Sequence, residues 1–147
     1  MFVRVSFWTA AILVALTGAR AADDVIDDTS TRVAGTVEIP ADVEGFTGRT
    51  LELQMYKIHP LLADAPADLV DTATIADFGH VRGALTRKTF EIGDGGRIEA
   101  DKMYYLTCFV VDGGTRTHIG EPPDKNLCKV LTLGNPRSAS FILRPVR

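Results

Sequence analysis

From position 33 onward, apolar and polar residues alternate in short runs. Val33 to Ile39 sets Val33, Val37 and Ile39 on one face. In Thr50 to Ile58, Leu51, Leu53 and Met55 share a face and Glu52 and Gln54 take the other. Leu69 to Phe78 alternates Val70, Thr72, Thr74, Ala76 and Phe78 against Asp71 and Asp77. Thr86 to Ile92 sets Phe90 and Ile92 opposite Arg87 and Glu91. Period two of this kind predicts half-buried strands. Leu127 to Leu133 and Ser138 to Val146 complete the set. Lys102 to Asp112 differs: Tyr104, Leu106, Cys108 and Val110 form one apolar face, while Met103, Tyr105, Phe109 and Val111 make the other largely apolar too. Such a strand is expected at the centre of its sheet, with one side in the core and the other under a loop or helix.

Glycine and proline punctuate these seven candidate strands, at Gly45 to Gly48, Gly93-Asp-Gly-Gly96, Asp112-Gly-Gly114, Pro122-Pro-Asp124 and Gly134-Asn-Pro136. Many short strands at this spacing predict an all-β fold, a single antiparallel β-sandwich of immunoglobulin-like or transthyretin-like type with about seven strands. Pro60 and Pro66 keep His59 to Ala67 from forming a long helix.

The N-terminus changes the picture of where the protein works. Met1 to Ala22 has a basic Arg4, an uncharged apolar run from Phe7 to Leu16, and small residues at Ala19 and Ala21. This is the pattern of a secretory signal peptide over residues 1–21. The run is far short of the roughly 20 residues that span a bilayer. No cysteine follows to carry a lipid, so the expected product is soluble and exported, periplasmic or extracellular, with no integral membrane segment. Cleavage after Ala21 leaves 14 basic and 19 acidic residues, a net charge of −5 in place of −3. An acidic surface disfavours nucleic acid as a partner. Residues 22–32, with Asp23, Asp24, Asp27 and Asp28 and little to bury, read as a flexible acidic arm ahead of one domain over 33–147.

The only cysteines, Cys108 and Cys128, bracket a histidine, a diglycine and a diproline. In an oxidising compartment two cysteines are expected to pair, and a bond closing this loop contributes roughly 3 kcal/mol. The tied segment, Thr115 to Asn126, is then the candidate binding loop, presenting Arg116, His118, Glu121 and Lys125. The alternative is a soft-metal site for copper or zinc built from Cys108, His118 and Cys128, with Met103 or Met55 nearby. His59, His80 and His118 lie too far apart in sequence for a compact metal motif. No nucleophile elbow and no glycine-rich phosphate loop occurs, and no cofactor is implied. Asp77-Phe-Gly-His80 reads as a strand end rather than an acid–base pair. Tyr104 and Tyr105 fall on opposite faces, one in the core and the other at an edge.

The strand segments Val33-Ala-Gly-Thr-Val37, Leu51-Glu-Leu-Gln54, Thr89-Phe-Glu-Ile92 and Tyr104-Tyr-Leu106 occur in an order that resembles the YbaY/YscW family of small bacterial envelope β-sandwich proteins. The resemblance spans roughly Val33 to Leu143. It implies an envelope protein without catalytic residues; family members are typically lipoproteins, and some pilot components of secretion systems. The lipid-bearing cysteine and a counterpart of the Cys108–Cys128 insertion are missing from the match. The expectation is therefore a non-enzymatic envelope protein that binds another envelope protein, in a chaperone- or pilot-like role. A periplasmic metal- or small-ligand-binding module is the alternative.

Overall fold

A computed structural model describes residues 29–62 and 64–147; the expected signal peptide and most of the acidic arm lie outside the described residues. Eight strands form: β1 (Val33–Ile39), β2 (Phe46–Ile58), β3 (Asp68–His80), β4 (Thr86–Ile92), β5 (Met103–Asp112), β6 (Thr115–Glu121), β7 (Cys128–Val130) and β8 (Ser138–Pro145). The all-β expectation holds, and no helix occurs among the described residues. The strands make one sheet in the order β3-β2-β5-β6-β8-β1-β4, with β7 also on β5, nearly closed into a barrel. Every pairing is antiparallel except β1 with β8.

The alternation seen in the sequence sets what fills the interior. Val33, Val37 and Ile39 meet Leu51, Leu53, Met55, Tyr104, Leu106, Phe141 and Leu143, all nearly inaccessible to solvent. Gly35 belongs to the inward set, and a Cβ there would collide with the Phe90 ring, so its missing side chain makes room for that ring. Tyr104 Oη accepts a hydrogen bond from the Glu99 N–H at 3.1 Å, which satisfies the one polar atom of a core ring.

The outermost strands, β3 and β4, lie side by side without a main-chain ladder between them. Side chains pin this seam at both ends. The Gly93 N–H donates to Asp71 Oδ2 at 2.8 Å. At the other end His80 is buried, with Nε2 3.1 Å from the Val43 carbonyl and Nδ1 2.8 Å from Thr86 Oγ1. The carbonyl only accepts, so Nε2 carries the proton in that contact and the Thr86 hydroxyl donates to Nδ1. His80 does end a strand as expected, and its ring is committed to the seam.

Register departs from the sequence pattern on β3. There Ala73 and Ile75 pack against the core, opposite Leu53 and Leu51, where Thr72, Thr74 and Ala76 were expected to do so. An extra residue around Asp77, whose φ is +52°, returns Phe78 to the inside. A second extra residue on β2 at Gly48, φ +68°, offsets it, so that Phe46 still meets His80. Bulges shift strand parity by one residue, which strict alternation cannot represent.

Two further differences concern the ends of the predicted segments. Thr31 is buried, its N–H bonded to the Gly96 carbonyl at 2.8 Å and its hydroxyl to Asp94 at 2.5 Å, so residues 29–32 belong to the folded domain rather than to a free arm. The stretch expected as a loop from Thr115 to Asn126 is a strand for its first seven residues. β6 pairs with one half of β5 and β7 with the other, so together they behave as one strand interrupted by residues 122–127. Pro122 and Pro123 explain the break, since neither has an N–H to extend the ladder.

Candidate interaction surface

Most strands present polar residues outward: Thr36 and Glu38 on β1, Arg87, Thr89 and Glu91 on β4, Thr72 and Thr74 on β3. β5 does not. Met103, Tyr105, Phe109 and Val111 line its outer face, each half-buried, and no helix or second sheet among the described residues covers them. The helix or loop expected over this face does not occur among the described residues. Rows of neighbours run across it: Thr74, Glu52, Phe109, Ile119 and Arg144 form one row, and Leu69, Tyr56, Tyr105 and Lys129 another.

These rows hold aromatic contacts. Tyr56 and Tyr105 stack with centroids 5.3 Å apart and planes inclined by 18°, and Tyr56 Oη donates to Gln54 at 2.6 Å. The Arg116 guanidinium lies 3.8 Å from the Phe109 ring centroid, a cation–π contact. Between the two rows, Thr107 Oγ1 is buried without a hydrogen-bond partner among the described residues.

The residues singled out from the sequence do not converge on one surface. Arg116 is exposed on the outer face, whereas His118 points inward and is buried. Glu121 ends β6, and Lys125 sits at φ +58° in the exposed 122–127 turn, where its N–H bonds the Pro122 carbonyl at 2.8 Å. Asp124 steadies the same turn by accepting the Asn126 N–H at 3.1 Å, which holds its carboxyl below the usual range. Leu127 leaves the turn 44% exposed.

Cys108 and Cys128 are both buried and stand as free thiols in place of the expected disulfide. The register gives the reason. Cys128 sits opposite Leu106, which leaves Cys108 as its diagonal neighbour. Diagonal neighbours lie roughly 7–8 Å apart, beyond the usual Cα separation of about 4.4–6.8 Å for a disulfide. Nor do Cys108, His118 and Cys128 form a ligand set: among the described residues, no group of three or more His, Cys, Asp or Glu side chains is placed to hold a metal ion. Met55 is fully buried on the inner face.

His118 instead belongs to an aromatic cluster at the end of the barrel. Its ring lies 4.9 Å from Phe46, which also contacts Phe78 at 5.9 Å and His80 at 6.1 Å. Arg49 caps Phe46 at 4.7 Å and reaches Thr117 at 3.2 Å and Asp112 at 3.3 Å. Burial, with the charge of Arg49 and the nearby His80, lowers the His118 pKa from its ordinary 6.5. The Asp77 carboxylate takes no part in this cluster, so no acid–base pair with His80 is assembled.

Tyr56, Phe109, Ile119 and Glu52 were not singled out as a group by the sequence. The available signal was the two-sided apolarity of the Lys102–Asp112 segment; their juxtaposition depends on strand order.

No family model matches the chain, and no curated protein matches it. Among solved structures it is similar to an alternative pilotin from the type II secretion system of Vibrio cholerae, with a TM-score of 0.55 and 17% sequence identity. The similarity covers 79% of this chain and 96% of that one. At this identity the likeness is one of fold. The chain thus has the fold of a small β-rich pilotin, and no helix among the described residues is long and apolar enough to cross a membrane.

Proposed function

We propose that this chain is an exported, non-enzymatic envelope protein that holds another envelope protein during assembly, in the manner of a pilot. The likeness to the secretion-system pilotin, over nearly the whole of that chain, carries the reading. The signal-peptide pattern of residues 1–21 agrees with it. The partner docks on the turn that interrupts β6 and β7, where Glu121, Lys125 and Leu127 are exposed beside each other in sequence. Turns projecting from a rigid sheet are common places for recognition.

A photo-crosslinking residue in place of Leu127, in chain produced in an exporting bacterium, tests this. The expected result is a discrete adduct with a component of an envelope assembly, identified by mass spectrometry. The same substitution at Arg87, on β4, gives none. Equal crosslinking at both positions, or none at Leu127, overturns the proposal.

A further inference from the structure

The outer face of β5 shows water an apolar strip broken at Thr107, and in the Phe109 row its flanks carry opposite charges that have no ion-pair partner among the described residues. Glu52 stands on the β2 side of Phe109. Arg116 stands on the β6 side, and stacking brings its guanidinium over the Phe109 ring, into the same row as Glu52. The ion pairs elsewhere join Arg49 to Asp112, Lys57 to Glu99, Arg82 to Glu44, Arg87 to Glu38 and Arg144 to Asp42. In the Phe109 row the face is acidic at Glu52 on one flank and basic at Arg116 on the other, a pattern that is complementary to itself when a twofold exchanges the flanks.

We infer that this face is the interface of a symmetric homodimer, with the twofold axis running along β5 between two sheets packed face to face. That operation lays β2 of one copy over β6 and β7 of the other. Tyr105 meets Tyr105 and Phe109 meets Phe109 across the axis, and Glu52 faces Arg116 of the other copy twice. Tyr56 faces Lys129 of the other copy, an aromatic ring against a cation. Sheets packed face to face lie about 10 Å apart, and a twofold along β5 leaves the two copies of that strand parallel, so rows near the axis stay in register. The interface is isologous and closes as a dimer.

The alternative twofold, running across the strands through Thr107, exchanges the two rows and sets Arg116 over Lys129. Like charges there work against it, so the charge pattern selects one axis as well as one face. The test of the dimer rests on Glu52 and Arg116, both outside the 122–127 turn, so either proposal can fail without the other.

Light scattering and sedimentation of the purified exported protein test the inference, with circular dichroism to confirm that each variant is folded. The expected result is a dimer at micromolar concentration. Glu52→Arg and Arg116→Glu each raise the dissociation constant by about tenfold or more. The chain carrying both substitutions recovers dimerisation, because the reversed pair is again complementary. Phe109→Asp gives a folded monomer. A wild-type protein that stays monomeric at about 100 μM, well above the micromolar range expected here, overturns the inference. So does a dimer that neither single charge reversal weakens, or one that the double substitution fails to restore.

Discussion

Gly120 lies flat against Cys108: a Cβ added at Gly120 would come 2.7 Å from the Cys108 Cβ, 3.1 Å from its Sγ and 3.2 Å from the Phe141 Cβ. The glycine is what lets β6 close over the thiol. Gly120→Ala is therefore expected to lower stability by about 1–3 kcal/mol through overpacking. Urea unfolding followed by circular dichroism measures it. Gly120→Ala combined with Cys108→Gly, which removes the Cβ that lies closest, should cost less than the two single substitutions added together.

The thiols make a second prediction. Burial, with Cys128 nearby, pushes the Cys108 pKa up to about 12, and burial, with Asp124 nearby, pushes Cys128 up to about 11. Both should resist a thiol reagent at pH 8 in the native protein and both should react in denaturant, giving a count of two. Unfolded thiols ionise near pH 8.5, below their folded values. The stability they contribute is therefore present below that pH and is lost as the pH rises toward 11 and 12. Denaturation midpoints measured from pH 8 to 11 should fall, and less steeply in Cys108→Ala. A zero count in denaturant would show instead that the two strands shift to form the bond.

Acid should act through His118. Its folded pKa lies below 6.5 while the unfolded side chain titrates at the ordinary value, so the unfolded chain binds more protons between the two. Stability is then present above about pH 6.5 and falls as the pH drops through that window. His118→Asn should flatten this part of a pH–stability profile measured by thermal melting. An unchanged slope would place the acid sensitivity elsewhere.

The seam between β3 and β4 depends on two side-chain pins rather than on a ladder. Asp71→Ala leaves the Gly93 N–H without its acceptor and should cost about 1–3 kcal/mol. Native-state hydrogen exchange should show Gly93 and the neighbouring amides of β3 exchanging faster, with the β1–β8 amides unchanged. Uniform acceleration across the sheet would mean that the seam does not open on its own.

Much of this architecture was legible in the alternation of residues. Val33, Val37 and Ile39, the Leu51-Leu53-Met55 series and the inner face of β5 all lie where period two puts them. The middle of β3, Thr72 to Ala76, was assigned the wrong face because inward Ile75 and Phe78 are three residues apart, a spacing that a bulge produces; Val70 and Phe78 were placed correctly. β6 was hidden between Gly113-Gly114 and Pro122-Pro123, whose turn chemistry made the seven residues between them look like a loop, although Thr115, Thr117 and Ile119 are good strand formers. The candidate surface was half visible. Tyr105 and Phe109 were seen to face away from the core, but Glu52 and Arg116 join them only through the pairing of β5 with β2 and β6. That order is a long-range property that no local pattern carries.

The offset bulges at Gly48 and Asp77 have an editing consequence. Each is one residue more than the pairing needs. Removing Asp77 alone would put Phe78 two residues from Ile75, where plain alternation already faces both inward, and the pairs Leu51 with Ile75 and Arg49 with Phe78 would stand as before. A single deletion in the regular stretch from Leu51 to Met55 would instead turn everything beyond it to the other face. In this hairpin the bulges are the places where one strand can change length by a residue without its partner.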